Sequence, residues 1–131
     1  MMRHLSLSRI ARRLAPAVLL AAAACASTQK GPPQPRAVII FQNQSLDQAT
    51  VYIVSPSIDF IRLGTVFAGR TETLRVPTTV NLNGGSLNIV ARLLARPELP
   101  QTGPVTINAG ETYRVTLPPD GRLLSFLPNG P

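Results

Sequence analysis

Thr112-Tyr113-Arg114-Val115-Thr116-Leu117 alternates two kinds of side chain without a break. Tyr113, Val115 and Leu117 fall on one side, Thr112, Arg114 and Thr116 on the other. Side chains of an extended chain point alternately to opposite faces, so this run reads as a strand with one buried and one wet face. Ala109-Gly110 before it supplies a turn. Pro118-Pro119 after it ends the strand, because proline carries no N–H for the ladder.

The same grammar extends through residues 37–127. Apolar or alternating runs cover Ala37–Gln42, Thr50–Val54, Phe60–Phe67, Thr71–Val76, Leu87–Leu94, Val105–Ile107 and Arg122–Leu127. Asn83-Gly84-Gly85 and Asp120-Gly121 are tight-turn sequences that provide positive φ. From Cys25 onward, 27 of 107 residues are Val, Ile or Thr, the composition of strands. No stretch sustains an apolar repeat of helical period. One device occurs twice: Ala68-Gly69-Arg70-Thr71-Glu72-Thr73-Leu74-Arg75-Val76-Pro77 aligns with Ala109-Gly110-Glu111-Thr112-Tyr113-Arg114-Val115-Thr116-Leu117-Pro118. Each copy is a turn, a strand and a proline stop. The expected fold class is all-β: a single antiparallel β-sandwich of about 7–8 strands over residues 37–127, followed by a short tail, 128–131.

Ile107–Leu117 resembles the late-strand motif of fibronectin type III and related immunoglobulin-like sandwiches, Leu-x-Pro-Gly-Thr-x-Tyr-x-Val-x-Val. Transthyretin-like sandwiches carry a similar motif. The resemblance implies that the Tyr113 hydroxyl returns to upstream backbone as a tyrosine corner. Ala109 stands where that motif has Pro, and no Trp is present.

The N-terminus reads as an address. Arg3, Arg9, Arg12 and Arg13 precede an apolar run, Leu14–Ala24. This is a charged region followed by an apolar core, the order of a secretory signal. It is shorter than the ~20 residues of a membrane span. Ala22-Ala23-Ala24-Cys25 resembles the lipobox of bacterial lipoproteins. That resemblance implies cleavage before Cys25, acylation of its thiol by diacylglycerol, and a signal peptide over 1–24. Position −3 is Ala22, where the family most often has Leu. Other readings of the segment are an ordinary thiol at Cys25 or a mitochondrial presequence. Residues 25–36 follow as the lipidated Cys and a Pro-rich flexible tether, with a reach of roughly 30 Å. Residue 26 is Ala rather than Asp, which resembles the outer-membrane sorting pattern of enteric bacteria. The expected location is therefore the bacterial cell envelope, lipid-anchored at the outer membrane and facing the periplasm.

The chain has 131 residues and a formal charge of +7. From Cys25 onward nine basic and six acidic residues leave only +3. With few aromatics, that balance gives no expectation of nucleic-acid binding. His4 is the only His and Cys25 the only Cys, so the processed chain has neither for nucleophilic catalysis or zinc ligation. The six acids, Asp47, Asp59, Glu72, Glu98, Glu111 and Asp120, are scattered near turns. No catalytic residue, cofactor or metal is expected, and no enzyme activity. Twelve of the 13 basic residues are Arg. Arg62, Arg75, Arg92 and Arg114 occupy strand positions as candidates for an outward ligand face. Two loops, Thr78–Gly85 and Arg96–Pro104, are further candidates. The expected role is a non-catalytic binding or structural accessory, held to the membrane by its N-terminal lipid. Its expected partner is an envelope protein. The alternative is an anionic envelope ligand bound on the Arg face.

Overall fold

The computed structural model describes residues 31–129. The expected signal peptide, Cys25 and the tether as far as residue 30 lie outside the described residues. Residues 31–36 are exposed and have no regular structure. Eight strands follow: β1 (Val38–Asn43), β2 (Ala49–Ser55), β3 (Ile58–Val66), β4 (Thr71–Arg75), β5 (Ser86–Leu93), β6 (Gln101–Thr106), β7 (Thr112–Leu117) and β8 (Ser125–Pro128). They form two four-stranded sheets, ordered β4-β1-β7-β8 and β3-β2-β5-β6. The fold is an all-β sandwich.

Alternation decides what the layers share. Ile39 and Phe41 of β1, Val51 and Ile53 of β2, Ile89 and Ala91 of β5, and Val115 and Leu117 of β7 are all fully buried between the sheets. Val38, Ile40, Thr50, Arg92, Arg114 and Thr116 lie on the opposite parity and are half-buried or exposed. Pro32–Pro131 is one compact unit, and every core side chain among the described residues belongs to it, so the sandwich has a core of its own on which to fold.

Three details differ from the expectation. The pairing is not antiparallel throughout: β1 and β7 run parallel, Val38 opposite Thr112 through Asn43 opposite Leu117. The two copies of the repeated device become β4 and β7, and they flank β1 on its two sides. One runs antiparallel to β1 and the other parallel. Gly69 and Gly110 make the expected turns, both with positive φ, 70° and 81°. Second, the Arg96–Pro104 loop ends at Pro100, because β6 begins at Gln101. Gly103 and Pro104 are accommodated since β6 is an edge strand. The Ile89 N–H falls where the β5–β6 register shifts, and it donates to Thr102 Oγ1 at 3.1 Å. Third, Arg122–Leu124 is loop rather than strand. β8 runs on to Pro128, and the Asn129 N–H donates to the Thr112 carbonyl at 3.1 Å, inside the stretch assigned to the tail.

Candidate binding surface

The register sorts the connections between two ends. β1 begins beside Arg75 and Thr112 and finishes beside Thr71 and Leu117. The chain enters at the first end, where Val38 N–H donates to Glu111 O and Val76 N–H to Ala37 O. The β2–β3, β4–β5 and β6–β7 connections lie there too. The β1–β2, β3–β4, β5–β6 and β7–β8 connections all lie at the other, far end.

Hydrogen bonds join those four far loops. Asn43, buried at the end of β1, donates through Nδ2 to Asp47 O at 2.8 Å and to Val66 O at 3.0 Å. Its Oδ1 accepts from the Ser45 N–H at 3.0 Å and from Ser45 Oγ at 2.7 Å. The Asn43 N–H reaches Arg70 O in the β3–β4 loop, and the Leu94 N–H reaches Gln48 O. Arg96 pairs with Asp47 at 2.8 Å and donates to Asp120 O at 3.0 Å. Gly121 is buried under this bridge with φ of 66°, and a Cβ there would sit 3.2 Å from both Leu93 and Arg96. The loops are fixed to one another through backbone carbonyls and one ion pair.

On this cross-linked end sit large apolar side chains that the core does not take. Leu46 is 88% exposed, Leu94 77%, Leu123 68%, Phe67 62% and Leu99 48%. Single exposed leucines are ordinary, whereas several large apolar side chains exposed on one end form the kind of patch that interaction surfaces carry. Only Phe60 on β3 and Leu127 on β8 complete the exposed large hydrophobics among the described residues. Charge at the far end is balanced, with Arg70, Arg96 and Arg122 against Asp47, Glu98 and Asp120.

The four candidate arginines are all exposed but do not share a face. Arg62 stands opposite Tyr52 and Arg92 opposite Thr50, on the outer side of the β3-β2-β5-β6 sheet. Arg75 stands opposite Val38 and Arg114 opposite Ile40, on the outer side of the other sheet. Arg62 donates to Thr65 Oγ1 at 2.8 Å. The Thr78–Gly85 loop lies at the chain-entering end, and among the described residues no group of three metal-ligating side chains comes together.

Three of these five far-end side chains were missed in the sequence for a specific reason. Phe67, Leu94 and Leu123 were placed inside strands, whereas the strands stop before the first two and begin after the third. Paired apolar residues at strand ends, Leu93-Leu94 and Leu123-Leu124, carry the usable signal: alternation lets only one of each pair point inward. Leu93 and Leu124 are the buried members.

Tyr113 does form a tyrosine corner, at the chain-entering end. Its hydroxyl accepts from the Asn108 N–H at 2.8 Å and donates to Glu111 Oε2. Asn108 Nδ2 adds a bond of 3.0 Å to the same carboxylate. The ring is buried and stacks on Phe126, with centroids 5.1 Å apart. The Tyr113 hydroxyl bond, then that from Asn108, hold the Glu111 carboxyl below its ordinary range. Burial first, and then Glu111, push the Tyr113 phenol up. Tyr113→Phe keeps the stack but leaves the Asn108 N–H without its acceptor. It is expected to cost about 1–2 kcal/mol in urea unfolding. A carboxyl with a lowered folded pKa contributes stability above its unfolded pKa and loses it as pH falls through the folded one. The acid limb of the unfolding midpoint against pH should therefore be shallower in Tyr113→Phe than in the unaltered protein.

No protein-family model matches this chain, and no curated protein matches it.

Proposed function

We propose that this protein is a non-catalytic binding module of the bacterial envelope. In this reading Cys25 carries the lipid anchor, the tether approaches one end of the sandwich, and the other end binds a protein. The concentration of Leu46, Phe67, Leu94, Leu99 and Leu123 on four mutually bonded loops carries the reading. A surface already fixed by its own hydrogen bonds loses little conformational entropy on binding. The placement suits a tethered module, because the apolar end lies opposite the point where the chain enters. The sandwich is read as transthyretin-like rather than immunoglobulin-like, since its first and second strands lie in different sheets while those of an immunoglobulin domain share one. The anionic-ligand alternative has pairs of arginines to work with, Arg62 with Arg92 and Arg75 with Arg114, rather than a row of four.

Site-specific photocrosslinking in the cell envelope tests the protein reading. A crosslinker at Leu46, Phe67 or Leu123 is expected to capture one and the same protein. Placed at Ser57 or Asn83, at the opposite end, it should capture none of it. Replacing Leu46 and Leu123 together with Ser should reduce recovery at least tenfold, with the unfolding midpoint nearly unchanged, because both side chains are already in water. Equal capture from both ends, or none from the far loops, overturns the reading.

A further inference from the structure

The outer face of the β3-β2-β5-β6 sheet carries a cleft of about 680 Å³ beneath the β5–β6 loop. Its floor is an edge-to-face aromatic pair, Tyr52 and Phe60, with centroids 5.7 Å apart and rings at 85°. Leu94, Pro97 and Leu99 form the overhang and Arg92 stands at the side. The size falls in the range of small-molecule sites, ~300–1,000 Å³, and the lining is of the matching kind: mostly apolar, with a few polar groups.

Two features make the cleft preformed. The overhanging loop is clamped at Arg96 by Asp47 and Asp120 O, and Pro97 and Pro100 restrict its backbone. The site therefore does not have to be ordered by its ligand. The charges along it are also unequal. Arg96 is neutralised by Asp47, whereas Arg92 faces Thr50 across the ladder and makes no ion pair among the described residues. Glu98 is on the same loop but does not line the cleft. What remains is an apolar trough with one uncompensated guanidinium at its side.

We infer that this cleft binds a small amphipathic anion, an aromatic ring or short acyl chain ending in a carboxylate. The apolar body lies on Tyr52 and Phe60 under Leu99, and the carboxylate receives charge-assisted hydrogen bonds from Arg92, whose planar fork matches it. The cleft shares Leu94 and Leu99 with the far-end surface proposed above, whereas Leu46, Phe67 and Leu123, the positions that test the protein reading, lie outside it.

Three probes of one shape and different charge test it: phenylbutyrate, phenylbutanol and phenylbutylamine. Each is titrated into the sandwich, residues 31–131, and followed by amide and side-chain NMR shifts. Phenylbutyrate is expected to bind about tenfold tighter than phenylbutanol, with phenylbutylamine weakest and the shifts centred on Tyr52, Phe60, Arg92 and Leu99. Arg92→Gln should lower phenylbutyrate affinity about tenfold, to that of the alcohol, and leave the alcohol unchanged. Phe60→Ser should weaken all three and preserve their order. Equal affinities in the unaltered protein, a preference that survives Arg92→Gln, or shifts centred elsewhere overturn the inference.

Discussion

Asn43→Leu is expected to destabilise the sandwich by about 3–4 kcal/mol, although it exchanges one side chain for an apolar one of similar size in a buried position. Asn43 is 1% exposed, and each of its side-chain polar atoms is used twice. Leucine would leave the Val66 carbonyl and the Ser45 N–H buried without these partners, and each such orphan costs ~1–3 kcal/mol. The Asp47 carbonyl is spared, because Ser45 Oγ also reaches it at 3.2 Å. Against the ~5–15 kcal/mol by which domains are stable, this is a large fraction. Urea unfolding of both forms measures it. Asn43→Asp separates the polar network from mere packing. At neutral pH a carboxylate would direct negative charge at two carbonyl oxygens, so this isosteric change should cost more than leucine. As pH falls the carboxyl regains a proton and one donor, so the difference from the unaltered protein should shrink. A cost below about 1 kcal/mol for Asn43→Leu would mean that the loops hold their arrangement by other means.

Cys25→Ala is expected to move the protein out of the membrane fraction. One acyl chain binds a bilayer only reversibly, while two or more anchor a protein stably, at ~0.8 kcal/mol for each buried CH₂. The substitution removes the thiol to which the lipobox reading assigns a diacylglycerol, so the loss should be nearly complete rather than graded. Intact mass from the membrane fraction checks both halves of the expectation. The unaltered chain should begin at Cys25 and carry the added lipid, and the variant should carry none. An unlipidated product in the unaltered protein would remove the anchor and leave the far-end surface to be tested as that of a free module.

The sandwich was legible because its core strands obey strict alternation. Thr112–Leu117 was placed to the residue, and β1, β2, β4 and β5 to within a residue at each end. What pattern could not give was the order of the strands, since β1 beside β7 joins residues far apart in the chain. Proline also misled the reading around Gln101–Pro104, because a row that looks incapable of pairing is permitted on a sheet edge. The candidate surface was less visible. Asn43 and Ser45 belong to no pattern in the sequence, and only the folded chain brings the Val66 carbonyl to Asn43. The arginines were sound as exposed strand residues, but which face each one shares depends on sheet order, which alternation within single strands does not contain.

The parallel pairing of β1 with β7 also sets an order of events. β1 is the first strand of the sandwich to be synthesised, and of its two neighbours one, β7, is almost the last. Until Thr112–Leu117 has emerged, Ile39 and Phe41 cannot be enclosed, and one ladder of β1 stays open. Contacts between such distant segments form slowly, because the intervening chain must first be closed into a loop. A chain leaving a ribosome or a membrane channel from its N-terminus thus cannot lock this sandwich early. It remains pliable enough to be threaded until β7 is through, and only then closes on itself.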